Sequence, residues 1–339
     1  MHSKSDTERV IGIVTGAAMA QALAVAVELG VLDALHYKAK AAPALAAELD
    51  CQSDTLLRLL RAMVAVGVCE TTGADQFALT STGELLCRDT EDSLFDWVVW
   101  SVRHLWPLWA ALQECVTTGE SARTRMLGTA GFEHLVRDPG MAATFARAMG
   151  GITARVGKAF AQALDLSQLD QIIDVGGAYG DLLIAILTRY PKLHGTLLER
   201  NESIAGARGR LRSANLSDRC EVHEGDFFLA VPAGADGYLL KSVLHDWRDE
   251  ECETILRNCR QAMKSRARLW IIEQLLPERI RCLPEHQDAV RKDLTMLIGP
   301  GGKERTEQEF EKLLRVAGLR IQAVHSLSLH FSALEVVLV

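Results

Sequence analysis

The sequence has no CxxC pair, no histidine at metal-ligand spacing from a cysteine and no excess of positive charge, and each absence excludes a class of protein. The eight cysteines are scattered, which indicates reduced thiols of a cytoplasmic protein and not a zinc site or a disulfide framework. Lys and Arg number 37 against 44 Asp and Glu, a net charge of −7. Phosphate binding needs clustered Lys and Arg, so this balance argues against nucleic acid as the main partner. The 339 residues, 48% of them hydrophobic, are enough for two domains.

An uncharged segment, Val10 to Val27 ("VIGIVTGAAMAQALAVAV"), resembles a signal peptide or a membrane span in length. Its flank "SKSDTER" mixes acids with bases, and polar Thr15 and Gln21 lie within it. The apolar pattern also continues past Glu28, as in a long buried helix. We therefore expect a packed or subunit-interface helix and no membrane association.

Residues up to about 165 have the apolar spacing of helices, and "VCETTGADQFALTSTGELL" indicates a short hairpin with Gly73 at its turn. Helices followed by such a hairpin suggest a winged-helix unit, which raises DNA binding as an alternative function. The composition of residues 40–85 argues against DNA binding, because this segment contains three basic residues and six acidic ones. The basic residues are Lys40, Arg58 and Arg61; the acidic residues are Glu48, Asp50, Asp54, Glu70, Asp75 and Glu84.

From about Asp170 the pattern alternates between strands and helices, which predicts a doubly wound, mostly parallel, Rossmann-like sheet. Ligands of such sheets bind beyond the carboxyl ends of the strands. The candidate strands are Gln171–Val175, Gly195–Glu199, Cys220–His223, Gly237–Val243, Ala267–Gln274, Leu319–His325 and Ala333–Val339.

A glycine-rich turn follows the first of these strands, in "IIDVGGAYGDLLIAIL". Gly176, Gly177 and Gly180 allow the backbone to approach a ligand closely, and a helix is expected from about Asp181. The spacing is not that of a dinucleotide site, and Asp174 would repel a pyrophosphate. A nucleoside without phosphates, or a ligand carrying a cation, fits better.

The next two strand ends carry further candidate ligand contacts. Glu199, 25 residues after Asp174, can accept both ribose hydroxyls, although it is equally consistent with a solvated acid that pairs with Arg200. In "EGDFF", Asp226 can accept from an adenine amino group and Phe227 can cover the ring, or the pair can be a turn Asp and a core aromatic. Together the three strand ends describe an adenosine site.

Six motifs now carry a resemblance: "DVGGAYG", "LLE", "GDFF", "LLKSVLHDW", "IIEQLLP" and "GGKERTEQEF". In order and spacing the chain resembles the S-adenosylmethionine-dependent O-methyltransferases similar to plant caffeic acid O-methyltransferase and to bacterial natural-product enzymes of polyketide and phenazine type. The resemblance implies a class I methyltransferase sheet of seven strands. It also implies an N-terminal winged-helix dimerisation domain at about 1–95, a catalytic domain at 96–339 with its sheet core at about 168–339, and a homodimer with interlocked N-terminal helices.

The resemblance also assigns roles to residues of this chain. The cofactor contacts of the family fall on Gly176, Glu199, Asp226, Phe227 and Lys241. Its general base falls on His245, and the acids that flank the base fall on Glu273 and Glu304. Two positions depart from the pattern, since Ala178 replaces a glycine and Glu199 replaces the usual Asp.

The segment "LLKSVLHDWRDEEC" ends an apolar run at an imidazole. A phenol has a pKa near 10, so ionising it unaided at pH 7 costs about 4 kcal/mol, whereas a neutral His245 can take the proton as the oxygen attacks a sulfonium methyl. Glu273 and Glu304 would fix its tautomer and stabilise its charged form. Asp246 is interpreted as the N-cap of the following helix, and Trp247 as packing or as a pocket wall.

The substrate is the least determined part of this prediction. By resemblance, Phe145, Met149 and Met296, the last in the loop "MLIGPGG", line the pocket of a flat, small aromatic acceptor. Methylation of nitrogen, and a homologue that uses S-adenosylmethionine for hydroxylation or decarboxylation, remain alternatives. No His/Asp/Glu cluster at ligand spacing accompanies the strand ends, so no metal is expected.

Overall fold

The chain forms two units in its computed structural model, which describes residues 4–73, 75–90, 93–128 and 132–339. The first unit contains the residues up to Trp106 together with Ala143–Gly151, and the second contains Pro107–Ala142 and Ile152–Val339. A single long helix, Pro139–Ala163, contributes to both.

The first unit is helical with a small antiparallel sheet. Its helices are α1 (Lys4–Glu28), α2 (Val31–Leu35), α3 (Ala42–Glu48), α4 (Ser53–Ala65), α5 (Ser81–Glu84), α6 (Phe95–Val99) and a π-helix (Trp100–Leu105). Strands β1 (Lys40–Ala41), β2 (Cys69–Thr72) and β3 (Gln76–Leu79) pair in the order β1-β3-β2. The predicted hairpin is confirmed, and Gly73 lies at its turn with a φ of 55°.

Helix α1 has two different halves. Ala24, Ala26 and Val27 are buried in the core of the first unit, whereas Ile13 and Val14 are 72% and 70% exposed. The segment Asp6–Glu28 is long and apolar enough to cross a membrane, by length and composition only. The expected packed helix is therefore present in its C-terminal half, and its N-terminal half leaves apolar side chains uncovered within one chain.

The second unit begins with α7 (Trp106–Trp109), α8 (Leu112–Thr118), α9 (Ala122–Leu127), α10 (Glu133–Arg137) and α11 (Pro139–Ala163). An alternation of strands and helices follows: β4 (Gln171–Val175), α12 (Asp181–Arg189), β5 (His194–Glu199), α13 (Asn201–Ser213), β6 (Cys220–Glu224), β7 (Gly237–Lys241), α14 (Asp249–Ala262), β8 (Arg268–Leu276), α15 (Pro284–Ile298), β9 (Arg305–Thr306), α16 (Glu307–Val316), β10 (Leu319–Ser326) and β11 (Phe331–Leu338).

These strands form one mixed sheet in the order β10-β11-β8-β7-β4-β5-β6, with β9 paired to β8. Strands β4 to β8 are parallel neighbours, and β10 and β11 are antiparallel. All seven predicted strands are confirmed, and the two-residue β9 was not predicted. Strand β7 ends at Lys241 and not at Val243, because Ser242 has a left-handed φ of 53° and turns the chain out of the sheet.

Apolar side chains cover both faces of this sheet, which explains why its central strands are nearly continuous apolar runs. Along β4, Ile173 and Val175 belong to one buried cluster and Ile172 to the other. Leu240 and Leu239 of β7 alternate in the same way. Polar chemistry at this sheet is therefore expected in the loops at the strand ends.

A glycine on α11 controls how closely this helix packs on α12. A Cβ at Gly157 would lie 2.9 Å from Ala185 Cβ and 3.3 Å from Leu182 Cδ1, whereas one at Gly209 of α13 would meet nothing within 4 Å. We predict that Gly209→Ala raises the free energy of unfolding by about 0.5–1 kcal/mol through helix propensity. Gly157→Ala has the same propensity gain but overpacks the interface, so we expect a net loss of about 1 kcal/mol.

Denaturant unfolding of both variants beside the wild type measures the difference. Equal stabilisation by the two substitutions would show that the α11–α12 contact is loose and that Gly157 is not required for it.

Candidate active site

The glycine turn after β4 closes over a buried carboxyl group. Gly176 and Gly180 have φ values of 72° and 82°, and α12 begins at Asp181 as predicted. A Cβ at Gly177 would lie 2.1 Å from Asp174 Oδ2, so only glycine fits at this position. The turn is therefore shaped by the side chain of the residue that ends the preceding strand.

Ala178, which replaces a glycine of the family pattern, adopts a φ of 50°. This left-handed conformation costs a non-glycine residue about 1–2 kcal/mol. The Ala178 N–H donates to Glu199 Oε2 at 2.7 Å, so the loop is held against the end of β5 in spite of the strain.

Glu199 lies at the end of β5 and is bound by backbone groups. Its Oε1 accepts from the Arg200 N–H at 2.8 Å, while the Arg200 side chain pairs with Glu202. Burial raises the pKa of Glu199 although these backbone donors oppose the shift. The alternative of a solvated acid paired with the Arg200 guanidinium is not what the structure shows.

Asp174 is fully buried, and within the described part of the chain neither of its carboxyl oxygens has a hydrogen-bond donor. Burial, with nearby Glu199 and Asp181, raises the pKa of Asp174 to about 7 against the opposing charge of Lys241. This end of the sheet is therefore acidic, which disfavours phosphate and favours a ligand that carries positive charge.

The residues predicted to bind the adenine ring, Asp226 and Phe227, follow strand β6. Asp226 Oδ1 accepts a hydrogen bond from the Phe228 N–H at 2.8 Å, so this oxygen stabilises a turn. Asn258 Nδ2 donates to the carbonyls of Phe227 and Phe228 at 2.8 and 2.9 Å. A Cβ at Gly176 would lie 3.1 Å from the Phe227 ring, which places that ring against the glycine turn.

Lys241 ends β7 and is the fifth predicted cofactor residue. Its Nζ donates to Thr153 Oγ1 at 3.0 Å and lies 5.2 Å from the centre of the Phe331 ring. Burial and the nearby Lys292 ammonium lower the pKa of Lys241 to about 8. The five predicted residues thus lie at or just after the carboxyl ends of the adjacent parallel strands β4, β5, β6 and β7, as expected.

The three predicted catalytic residues meet at the next strand end. His245 lies in a short 3₁₀ turn, Leu244–Asp246, and its Nδ1 is 3.0 Å from Glu273 Oε2 and 3.1 Å from Glu304 Oε1. All three side chains are buried. Glu273, on β8, also accepts from the N–H groups of Val243 and His245 through Oε1, at 3.1 and 3.4 Å.

The charge of this group differs from the expectation of a neutral imidazole. Burial lowers the proton affinity of His245, but Glu273, Glu304 and Asp246 outweigh it and raise its pKa to about 10. The imidazolium and Lys292 in turn overcome burial and lower the pKa of Glu304 to about 2. The carboxylates that face His245 therefore favour its protonated, imidazolium form.

The interpretation of Asp246 as a helix cap was wrong. Helix α14 begins at Asp249, and the N–H of its N-cap residue, Arg248, donates to Glu251. The Asp246 carboxyl lies in the 3₁₀ turn instead, with Oδ1 3.6 Å from His245 Nε2. Burial raises the pKa of Asp246 to about 6 although His245 opposes the shift.

Trp247 packs edge to face on Phe228, with ring centres 4.8 Å apart, so its packing interpretation holds. Three basic side chains near the cluster were not predicted: Lys292, whose Nζ is 3.3 Å from Glu304 Oε1; Arg305, buried against the 244–247 turn; and Arg123, buried near Asp246. The only sequence signal for the first two was a base next to the acids in "RKD" and "GGKERT".

The three residues predicted to line the acceptor pocket belong to different units. Phe145 and Met149 belong to the first unit, where Phe145 packs on Trp100 with ring centres 4.9 Å apart. Met296 belongs to the second unit and lies on α15, which continues to Ile298, so its placement in a loop was wrong. Its role in acceptor binding stays a prediction.

Two family models match the chain, an O-methyltransferase domain at residues 109–320 and an O-methyltransferase dimerisation domain at residues 11–89. This chain belongs to the O-methyltransferase family. It is an S-adenosylmethionine-dependent enzyme of the class I fold, and the resemblance seen in its six motifs is confirmed.

The relatives include the O-demethylpuromycin-O-methyltransferase of Streptomyces alboniger, 36% identical over 94% of this chain and 85% of that protein. The crystal structure of LaPhzM superposes with a TM-score of 0.90 at 34% identity, covering 98% of this chain and 99% of the other. The neocarzinostatin-biosynthesis O-methyltransferase NcsB1, in complex with S-adenosylmethionine and 2-hydroxy-5-methyl naphthoic acid, has a TM-score of 0.77 at 33% identity and covers 95% and 96%.

One relative carries a different activity in its name. The aclacinomycin 10-hydroxylase RdmB of Streptomyces purpurascens is 34% identical over 93% of this chain and 86% of its own length.

The expectation that no His/Asp/Glu cluster forms at the strand ends was wrong. His245, Glu273 and Glu304 place ligand atoms within 4.8 Å of one another, a spacing that admits a metal ion. However, the imidazole Nδ1 lies between the two carboxylates, and the Lys292 ammonium is 3.3 Å from Glu304. The carboxylate oxygens thus already face cations that belong to the chain.

We predict that this cluster binds no metal, because an ion there would have to displace an imidazolium and approach Lys292. Elemental analysis of purified protein should find less than one Mg²⁺, Mn²⁺ or Zn²⁺ per chain, and turnover should survive excess EDTA. Loss of turnover in EDTA that Mg²⁺ restores would contradict the prediction.

Proposed function

We propose that the chain transfers the methyl group of S-adenosylmethionine to a phenolic hydroxyl of a small aromatic secondary metabolite, with His245 as general base and without a metal ion. The observation that carries this proposal is the placement of His245, whose Nδ1 lies 3.0 and 3.1 Å from two buried carboxylates. Carboxylates on this side of the ring favour Nε2, which lies 3.6 Å from Asp246 Oδ1, as the nitrogen that receives the proton. The residue also lies just beyond the end of β7, whose neighbour β4 leads into the glycine turn.

The charges and donors at the strand ends suit this cofactor. S-adenosylmethionine, when bound, supplies an electrophilic methyl group on a positive sulfonium, and it has no phosphate. Asp174, buried beneath the turn, and Glu199 beside it make this end of the sheet acidic, and Gly176 admits close backbone approach. The backbone N–H groups of Ala178 and Arg200 occupy one lone pair on each Glu199 oxygen and leave the others for the ribose hydroxyls.

The remaining assignments follow the same reasoning. Asp226 Oδ1 accepts a turn hydrogen bond, so its second oxygen is the proposed acceptor for the adenine amino group. Phe227, held by Asn258 against Gly176, provides an apolar face for the base. Lys241 is proposed to bind the anionic end of the cofactor, since its buried ammonium donates to one hydroxyl, Thr153 Oγ1, among the described residues.

The raised proton affinity of His245 favours proton transfer from the proposed acceptor. A phenol has a pKa near 10, so its transfer of a proton to an ordinary histidine is uphill by about 5 kcal/mol. Because the neighbouring carboxylates raise the pKa of His245 above the ordinary value, transfer to its neutral form is less uphill. The acceptor O–H bond breaks as the oxygen–methyl bond forms, the proton goes to Nε2, and Glu273 and Glu304 stabilise the resulting imidazolium.

The high pKa has a cost, because the ring must first lose its own proton to solvent. An added positive charge near His245 makes that loss easier, since like charges disfavour the protonated form. We therefore infer that occupancy of the cofactor site brings the pKa of His245 down toward the working pH.

The acceptor is proposed from the chemistry of the base and from the relatives. NcsB1 binds 2-hydroxy-5-methyl naphthoic acid, a hydroxylated aromatic molecule, and the Streptomyces alboniger relative is named an O-methyltransferase. Hydroxylation remains a second candidate because one relative is named a hydroxylase. Mass spectrometry of phenolic metabolites incubated with methyl-labelled S-adenosylmethionine separates the two, because only methyl transfer leaves the label on the product.

The dimerisation domain supports a homodimer, and we place the subunit contact on the exposed apolar half of α1. Val10, Ile11, Ile13 and Val14 are each more than half exposed in one chain, as expected of an interface helix. A second copy covering them fits a cytoplasmic protein without membrane or nucleic-acid partners, as the charge balance predicts.

The cofactor assignment predicts a ligand profile. Titration calorimetry should show binding of S-adenosylmethionine and S-adenosylhomocysteine but not of NAD, and Asp226→Ala should weaken binding by about 1–3 kcal/mol, the range for a hydrogen bond to a charged group.

Asp165 offers a matched control, because its Oδ1 accepts from the Ser167 N–H at 3.0 Å in the same turn geometry as Asp226 with Phe228. Asp165→Ala should leave cofactor affinity unchanged. Tight NAD binding, or equal effects of the two substitutions, would refute the adenosine site.

The base assignment predicts a separation of binding from turnover. His245→Ala should retain cofactor binding and lose about 10²-fold or more in turnover. His325→Ala is the control, since His325 also pairs with a buried glutamate, Glu335 at 3.0 Å, on the outer strands of the sheet. Near-normal turnover by His245→Ala would mean that methyl transfer here depends on proximity alone.

The wild-type rate should fall as pH decreases through the pKa of His245, because a protonated ring accepts no proton. Glu304→Gln removes one of the charges that raise this pKa, so it should move the rising limb to lower pH by about 1–3 units. It should reduce turnover less than His245→Ala does. A pH profile that Glu304→Gln leaves in place would show that Glu304 does not control the base.

A further inference from the structure

Arg305 is one of the most buried side chains of the second unit and lies one residue after Glu304. It is 1% exposed and follows the glycine pair of "GGKERT". A guanidinium placed in a dry interior is expensive unless every donor is satisfied. Its hydrogen bonds therefore show which part of the structure it serves.

All five N–H donors of Arg305 are used. NH1 donates to the carbonyls of Leu244 and Lys303 at 2.8 and 3.4 Å, and NH2 donates to the Trp247 carbonyl at 2.8 Å. The second proton of NH2 and the proton of Nε go to Asp249 Oδ1, at 2.8 and 3.0 Å. The guanidinium thus connects the backbone carbonyls of Leu244 and Trp247, which flank His245 and Asp246.

A second contact joins the same two segments without side chains. A Cβ at Gly302 would lie 2.1 Å from the His245 carbonyl oxygen and 2.7 Å from the Asp246 carbonyl oxygen. The segment 302–305 therefore lies directly on the backbone of the histidine turn, and only glycine allows this approach. Glu304, between these two contacts, points its carboxylate at His245 Nδ1.

The other end of the segment is anchored to the sheet. The Glu304 N–H donates to Asp293 Oδ1 at 2.9 Å, and Arg305 pairs in parallel with Leu275 of β8, two residues beyond Glu273. Glu273 is itself part of β8, and Glu304 is held beside β8 because the next residue, Arg305, pairs with it. Arg305 in turn binds the backbone of the turn that carries His245.

We propose that Arg305 is a positioning residue, which sets the separation between His245 and the Glu304 carboxylate by clamping the two ends of the 244–247 turn. Arg305 does not touch the ring and acts only through the backbone that carries it. This inference rests on the proposed function only for its effect on turnover, since the clamp itself is a property of the folded protein.

The consequence of loosening the clamp follows from the charges that face His245. These are Glu273 from β8, Glu304 ahead of β9, Asp246 on the same turn, Lys292 of α15 opposite Glu304, and Arg123 of α9 opposite Asp246. The nearby carboxylates raise the proton affinity of the ring, and an increase in the Nδ1 to Glu304 distance removes part of that effect. In a protein with a looser 244–247 turn, the imidazole of His245 therefore titrates at lower pH.

Arg305→Lys tests the clamp because it keeps the charge and replaces the planar fork by a single ammonium with three donors. Arg219→Lys is the matched control, since Arg219 also donates to three backbone carbonyls, those of Leu187, Tyr190 and Leu193, at 3.0–3.3 Å and at the opposite end of the sheet. Gly302→Ala separates the same two segments without any change of charge.

The measurement is a ¹⁵N-histidine NMR titration of the full chain without acceptor, with His245 assigned among the ten histidines by the signal that His245→Ala loses. We expect the His245 midpoint to fall by about 1 pH unit in Arg305→Lys and in Gly302→Ala, as for a weakened contact with one opposite charge. Arg219→Lys should lower only the melting temperature. Turnover of Arg305→Lys should fall about 10- to 100-fold, the range for outer-shell support, with KM for S-adenosylmethionine within twofold of the wild type.

An unchanged His245 midpoint in a folded Arg305→Lys or Gly302→Ala would overturn the proposal and leave Arg305 a purely structural residue. If Arg305→Lys does not fold, Gly302→Ala decides by the same readout. A shifted midpoint in a protein that transfers no methyl group would support the clamp and refute the proposed function, so the two failures are distinguishable.

Discussion

The candidate site depends on one electrostatic constraint, the burial of an imidazole between two carboxylates. His245, Glu273 and Glu304 are each less than a tenth exposed, so bulk solvent does little to screen their charges or to hydrogen-bond their polar atoms. Such a group is stable only when opposite charges meet at close distance. The proximity of Lys292 to Glu304, the backbone donors to Glu273 and the Arg305 contacts around the turn all serve this condition.

The same constraint explains why the site lies on loops that are held on several sides. A displacement of the 244–247 turn would leave buried carboxylates without a partner, which costs several kcal/mol. Two local features hold the turn in place. Ser242 turns the chain out of β7 in a strained left-handed conformation, and Gly302 allows a backbone contact that any side chain would block. Ala178 repeats this use of strain at the end of β4.

Two sets of charges therefore lie along the carboxyl-end edge of the sheet. At the ends of β4 and β5, burial and the neighbouring Glu199 raise the pKa of Asp174 to about 7, and this acidic end of the sheet favours a cationic ligand. At the ends of β7 and β8 the acids are compensated by groups of the chain itself. A sulfonium cofactor at the first site would lie beside an imidazolium at the second, and the opposition of their charges would couple cofactor occupancy to the proton on His245.

The sequence by itself determined the order of strands and helices, because continuous apolar runs at regular spacing have few other solutions, and seven strands were predicted with ends within a few residues. It also indicated candidate site residues next to glycines or at strand ends, directly or through the family resemblance: Gly176, Glu199, Asp226, Phe227, Lys241 and His245. Only the tertiary structure decided what these side chains meet. Asp246 was interpreted as a cap because its neighbours in sequence begin a helix, and it instead faces the imidazole. Likewise Lys292 and Arg305 were not predicted to lie near the cluster, and His245 was assigned an ordinary proton affinity. Burial and contacts between residues as far as 61 positions apart set these properties, and local sequence does not encode them.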